Sequence, residues 1–295
     1  MNYYSEIKNK IVENEIYSKV KDYSKERYRV ITYYEIGRLL NEAGGKYGDK
    51  IIDEYSKKLV LEVGKKYNKR TLFRMKQFYN VFCNQKVSTL WTQLTWSHIR
   101  LLFSFDVLTM NYYIQIVIDN NISVRELYIK IKNKEYERLD EETRNKLITS
   151  DEIKVTDLVK NPILIKNNYS DNDISEKVLQ KLILEDIPSF LKELGNGFTF
   201  IENEYKIKIG DRYNYIDLLL FNIEYNCYVV IELKVTELKK EYIGQIEVYM
   251  NYIDNNLKKI SHDKTIGIII CKKDNRYIVE YCSDKRIISR EYNLI

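Results

Sequence analysis

A chain of 295 residues fits two domains, and 44% hydrophobic with 31% charged residues is the composition of a globular protein with real cores. A formal net charge of +5 is mild, so a polyanionic partner has to be met by local clustering of charge rather than by the total. The four cysteines form no CxxC pair and the only histidines are His98 and His262, which argues against structural zinc and for a reducing cytoplasm.

The N-terminus is charged throughout and lacks an apolar h-region, so no signal peptide is expected. The longest apolar runs, such as Tyr215 to Phe221, are too short to span a bilayer, and no membrane partner is expected. Residues 2–42 carry apolar residues at helical spacing, and the glycine-rich NEAGGKYGDK at 41–50 reads as a break. Residues 51–63 are amphipathic again, with Gly64 as C-cap. Asn68 caps a further helix whose apolar positions are Leu72, Phe73, Met75, Phe78, Tyr79 and Phe82.

From Lys65 through Phe105 there is no acidic residue, whereas acids and bases nearly balance over the whole chain. Within this window Lys69, Arg70, Arg74, Lys76 and Gln77 are the candidate nucleic-acid contacts, because a basic helix with an apolar back suits phosphate contact and groove entry. A merely solvated helix face has about even weight on composition alone. Trp91, Trp96 and His98 follow, read as core or structural residues, and Thr95 or Ser97 caps a short helix. Two more helices are expected at 108–120 and 123–133, the second capped by Ser123. Several short helices around a basic one suit a helix-turn-helix or winged-helix module.

The expected division is a helical, winged-helix-like DNA-binding domain over 1–150, a linker over 151–172 and a second domain over 173–295. In the second domain, 173–194 reads as one amphipathic helix kinked at Pro188, with Asp173 or Ser175 as cap and Glu176 in its first turn. Strands follow at 198–209, 213–221 and 227–235, then a helix at 239–257, a strand at 265–271, a short helix near 275–282 and a last strand near 286–292. Helix, three-strand meander, helix, strand is a mixed α/β domain with a central sheet.

Residues two apart on a strand share a face, so Glu232 and Lys234 point one way. A turn near Glu224 and Tyr225 brings Asp217 of the preceding strand roughly opposite 232–234. Two carboxylates this close repel unless a cation sits between them, and Mg²⁺ is the expected cation because it takes oxygen ligands and keeps reactive waters. Asp217 and Glu232 are therefore expected to hold the metal and Lys234 to orient the attacking water. Gln245 on the next helix positions substrate or water, and Glu176 supplies a further metal-site carboxylate. An isolated ExK pair carries little weight; the full set in this order carries much more.

These residues resemble the PD-(D/E)xK nuclease superfamily, and more closely its YhcG-type members. The resemblance rests on SEKVLQKLI, FLKELGNGFTF, YIDLLLF, VVIELK, EYIGQIEVYMNY and TIGIIIC in the C-terminal half. In the N-terminal half it rests on NKRTLFRMKQFYNVF, WTQLTWSHIRLLF and NNISVRELY. It implies a restriction-endonuclease-like α/β core with Asp217, Glu232 and Lys234 as the central motif, joined by Glu176 and Gln245, behind a winged-helix-like domain. The expected activity is hydrolysis of phosphodiester bonds with Mg²⁺, or Mn²⁺ in its place, in a restriction, defence or mobile-element setting. The expected partner is DNA, with RNA open as the alternative; a restriction or defence complex and a second copy of the chain are further expected partners. The rival readings are a non-catalytic DNA-binding or assembly subunit and a ribonuclease.

Overall fold

The computed structural model describes residues 2–19, 24–47, 50–83, 90–149, 151–167, 174–282 and 284–295. The chain divides into two compact units, Met1–Tyr136 and Glu137–Ile295.

The described part of the first unit is helical. Its helices are α1 (Tyr3–Ser18), α2 (Lys25–Tyr47), α3 (Lys50–Glu62), α4 (Lys69–Phe82), α5 (Trp96–Leu102), α6 (Val107–Asn120) and α7 (Val124–Lys132). Short 3-10 turns lie at Lys65–Tyr67 and Leu90–Gln93. No strand occurs among the described residues of this unit, so the wing of the expected winged helix has no strand pair there. The glycine-rich break moves to the end of the expected segment: α2 continues through Gly44 and Gly45 to Tyr47, and Ala43 is buried within it.

Caps set the helix starts. Asn68 accepts from the Thr71 N–H at the head of α4, and Ser123 with Glu126 forms a reciprocal capping box on α7. Thr95 caps α5, where the His98 ring nitrogen Nδ1 lies 3.4 Å from the Thr95 N–H; His98 is a buried structural residue. Both tryptophans pack in an aromatic cluster: Trp91 stacks on Tyr34 at 4.9 Å, and Trp96 meets Phe78 at 5.6 Å and Phe103 at 5.9 Å. Phe73, expected on the apolar face of α4, is exposed, because a stripe of Leu72, Met75, Phe78 and Phe82 already fills that face.

The second unit adds α8 (Glu141–Thr149) and α9 (Val155–Leu158), then β1 (Ile163–Ile165), α10 (Glu176–Glu185), α11 (Ile187–Leu194), β2 (Phe198–Ile209), β3 (Arg212–Asn222) and β4 (Cys227–Glu237). It ends with α12 (Lys240–Asn256), β5 (Ile266–Lys273), α13 (Arg276–Glu280) and β6 (Ile287–Leu294). The segment expected as a linker over 151–172 is thus partly structural. Its Ile163–Ile165 pairs in parallel with Tyr292–Leu294, and Ile163 is fully buried. Its residues 168–172, with Asp173, lie outside the described residues.

The six strands form one sheet in the order β1-β6-β5-β4-β3-β2. β2, β3 and β4 are an antiparallel meander; β4, β5, β6 and β1 run parallel. Val229–Leu233 and Ile268–Cys271 are buried on both faces, the continuous apolar reading expected of central strands. One face packs under Leu179, Leu182 and Ile183 of α10 and Phe190 and Leu194 of α11. The other packs under Ile243, Ile246, Met250 and Ile253 of α12. The single helix expected over 173–194 is two helices. Asp186 ends α10 in a non-helical conformation and caps α11 by accepting from the Ser189 N–H, and Pro188 falls in the first turn of α11, where a missing N–H costs nothing.

Gly37 lets α2 and α4 touch: a Cβ there would lie 2.1 Å from the Met75 carbonyl oxygen. Gly45 on the same helix has nothing within 4 Å of its would-be Cβ. Gly37→Ala is therefore expected to destabilise by about 1–3 kcal/mol through overpacking, and Gly45→Ala to stabilise by about 0.5–1 kcal/mol through helix propensity. Thermal unfolding of both variants checks this, and midpoints shifted in the same direction would contradict it.

Candidate active site

The sheet forks at Asp217. The β3–β4 ladder runs from Asn222↔Cys227 to Leu218↔Ile231 and stops. One step further on, Asp217 Oδ2 accepts the Leu233 N–H at 2.8 Å, so a side chain takes the place of a backbone partner. Beyond this point β3 stays with β2, while β4 continues on β5 through Glu232↔Ile269 and Lys234↔Cys271. Glu232 and Lys234 leave β4 on the α12 face, the face that also carries Val230.

Four of the five expected catalytic residues converge here. Lys234 Nζ lies 3.3 Å from Glu232 Oε2 and 3.8 Å from Glu176 Oε2. Glu176 begins α10, where Ser175 caps the helix by accepting from the Val178 N–H. Glu176 thus faces the amine; among the described residues no set of three or more His, Cys, Asp or Glu side chains gathers as a ready metal cage. Gln245 stands one residue back: its Nε2 donates to the Tyr249 hydroxyl at 3.1 Å. Burial raises the Tyr249 hydroxyl above its ordinary pKa, and the charges of Glu232 and Asp217 push it the same way.

The electrostatics follow from burial. Glu232 is 1% exposed, its Oε1 has no hydrogen-bond partner among the described residues, and burial together with the Asp217 charge pushes its carboxyl up to about 8. Burial also raises Asp217; the Leu233 N–H and Lys234 pull it back, and the charges of Glu176 and Glu204 add to the rise. Burial pulls Lys234 down, but Glu232, Glu176 and Asp217 outweigh it, so the amine is held charged. Its ammonium also lies 5.3 Å from the Tyr242 ring centroid.

Three residues at the site escaped sequence reasoning. Gln180 donates to the Asp217 carbonyl at 3.0 Å and so docks α10 on the fork. It lies four residues after Glu176, on the same helix face, which was a readable signal. Tyr249 is likewise four residues after Gln245. Glu204 had no such signal: it acts on Asp217 from β2, where a φ of 49° marks an irregular strand residue.

The candidate nucleic-acid contacts on α4 sort by geometry. At 100° per residue Arg70, Arg74 and Gln77 form one stripe, and Lys69 and Lys76 lie roughly 100° round the helix. Lys69 is paired with Asp53 at 3.3 Å. Arg74 is lowered below its ordinary value by burial and by its neighbours Arg100 and Arg70. Arg100 on α5, four residues after Trp96, joins the stripe because Trp96 and Phe103 pack on Phe78, one turn beyond Arg74.

Residues 156–294 match the YhcG PDDEXK nuclease domain and residues 6–138 the DUF1016 N-terminal domain. The Escherichia coli protein named "Putative nuclease YhcG" is 23% identical over 288 residues, covering 81% of this chain and 76% of that protein. Among solved structures, a repair endonuclease from Pyrococcus abyssi overlaps 43% of this chain at 19% identity with a TM-score of 0.30. EndoMS in complex with dsDNA overlaps 44% at 20% identity, also with a TM-score of 0.30. These overlaps span about half of the two solved chains, 49% and 48%. The two units of this chain therefore belong to the DUF1016 N-terminal domain and YhcG PDDEXK nuclease domain families, and the protein is a nuclease of the PDDEXK type.

Proposed function

We propose that the chain is a divalent-metal-dependent endonuclease that hydrolyses phosphodiester bonds in DNA. The observation that carries the metal is Glu232 Oε1, a buried carboxylate oxygen without a partner beside a second buried carboxylate, Asp217. Charge supports it too: with the raised Glu232 carboxyl ionised, three carboxylates (Asp217, Glu232, Glu176) against one ammonium (Lys234) leave two negative charges, which a divalent cation matches. Two carboxylates with open positions for water and substrate oxygens suit Mg²⁺, with Mn²⁺ able to substitute. Bound there, the ion would polarise a phosphodiester oxygen and lower the pKa of a water.

The chain's own groups do the rest. The Leu233 N–H and Gln180 fix Asp217 at both its carboxylate and its carbonyl. Lys234, held as an ammonium, orients the attacking water by donation and offsets charge developing on the phosphoryl group. Glu176 neutralises and aims that ammonium. Gln245 and Tyr249 present polar atoms on the α12 side for substrate. In the first unit, Arg70 and Arg74, which have no ion-pair partner among the described residues, lie on an amphipathic helix and support binding of a DNA duplex by its phosphates. The biological setting proposed for a DNA-cutting chain of this kind is restriction, defence or mobile-element maintenance.

With supercoiled plasmid and Mg²⁺ or Mn²⁺, the wild-type chain is expected to nick or linearise DNA, and a chelator to stop it. Lys234→Ala and Asp217→Asn should each lower cleavage at least about 100-fold while DNA binding is kept. Full cleavage by either variant would remove these residues from the site. Asp217→Asn keeps an acceptor for the Leu233 N–H and should unfold near the wild-type temperature. Asp217→Ala strands that buried N–H and should cost about 1–3 kcal/mol. Parallel RNA substrates are expected to remain intact.

Replacing Arg70, Arg74 and Lys76 by Gln is expected to weaken duplex binding and to flatten the dependence of log affinity on log salt by roughly 0.9 for each phosphate that is no longer neutralised. An unchanged slope would place duplex binding elsewhere.

A further inference from the structure

β2 and β3 run on past the fork as a two-stranded ribbon. Tyr205↔Ile216 through Ile209↔Arg212 pair with each other beyond the last β3–β4 pair, and Gly210 with φ 59° opens the two-residue turn. The ribbon is anchored: Ile207 and Ile216 are buried in the core cluster that contains Ile246 and Met250 of α12. Its opposite face carries two cross-strand pairs, Lys206↔Tyr215 and Lys208↔Tyr213, and all four side chains are exposed. Tyr213 is 57% and Tyr215 52% exposed. Lys206 Nζ sits 3.9 Å from the Tyr213 ring centroid, whereas Tyr215 has no ring partner among the described residues. Neither lysine meets a carboxylate within ion-pair distance among the described residues. Two exposed tyrosines and two lysines without a carboxylate partner among the described residues give one face both aromatic rings and positive charge, the chemistry of a surface that takes a polyanion with unstacked bases.

Tyr213 and Tyr215 share one face of β3 and lie four and two residues before Asp217, where the alternation breaks: Ile216 is buried against α12 and Leu218 on the other side of the sheet. Four strand residues cover about 13 Å, the length of roughly four stacked nucleotides. We propose that this face binds unpaired nucleotides of the DNA beside the scissile phosphate, with the lysines on phosphates and the tyrosine rings on bases. The inference rests on the nuclease reading above and names its substrate: DNA with a single-stranded stretch, such as a flap, next to the cut. A stacking platform with interleaved cations tracks a single strand without reading its sequence. In a paired duplex the base faces are already stacked on each other and closed to these rings.

The test uses the full chain carrying Lys234→Ala, so that substrate is bound and not cut. Fluorescence anisotropy is read with labelled single-stranded DNA, blunt duplex and duplex bearing a single-stranded flap. Tyr213→Ala with Tyr215→Ala should weaken binding to the single strand and the flap by at least about fivefold, the lower end for losing one stacked base. Binding to blunt duplex should stay within about twofold. The double Tyr→Phe variant keeps the rings and should bind like its parent. Lys206→Gln with Lys208→Gln should lower the single-strand salt slope by about 1.4. No loss in the alanine variant, or an equal loss on blunt duplex, would overturn the proposal. Plasmid cleavage by the wild-type chain is scored separately, so a failed nuclease reading and a failed ribbon are told apart.

Discussion

The site depends on one hydrogen bond, from the Leu233 N–H to the Asp217 carboxylate. In an antiparallel pair each inward N–H expects a carbonyl from its neighbour. Once a side-chain oxygen takes that place the ladder cannot continue, and the two strands part. The parting creates the space in which Glu232 and Lys234 face each other rather than a third strand. It also frees the end of β2 and β3 to become a ribbon. A glycine or alanine at 217 would supply no acceptor, so the acid shapes the backbone as well as the chemistry.

A fork of this kind exposes polar backbone and buries charge, and it has to be closed from both sides. Gln180 satisfies the Asp217 carbonyl from α10, and α12 covers the opposite face with Ile246 and Met250. Glu232 is then left with an oxygen that nothing among the described residues satisfies. An unpartnered buried carboxylate costs folding free energy, since burial alone disfavours its charge. The same packing that makes the carboxylate expensive excludes water, and in that low-dielectric setting a bound cation or a nearby ammonium acts with greater force. Structural cost and chemical capacity arise from one cause.

Much of this was legible in the sequence because strand parity is a hard rule. Alternation along VVIELKV placed Glu232 and Lys234 on one face, and the turn near Glu224 and Tyr225 placed Asp217 roughly opposite 232–234; in the structure the last pair of that ladder is Leu218↔Ile231. Parity says where a side chain leaves the strand, not what it reaches. The turn of Asp217 onto a backbone N–H was therefore invisible, as was the pairing of Glu176 with the amine. Punctuation residues misled for a related reason. Gly44 and Gly45 lie inside α2, because the burial of Ala43 and its neighbours outweighs their low propensity. Ile163–Ile165, flanked by charge and proline, is a strand because the β6 edge offers it a ladder.

In the helical unit the limit of sequence reasoning is electrostatic. A run without acids from Lys65 to Phe105 shows only what is near along the chain. Asp53, twelve residues upstream of that run, pairs with Lys69 from α3 and removes it from the free charge. Arg70 and Arg74 keep theirs, and Arg100 joins them from α5, so the like charges are concentrated rather than dispersed. Concentrated guanidiniums raise each other's free energy and lower that of any phosphate brought among them. Which basic residues are available to a polyanion is therefore decided by tertiary pairing, and a basic stretch of sequence becomes a surface only after its neighbours have taken their share.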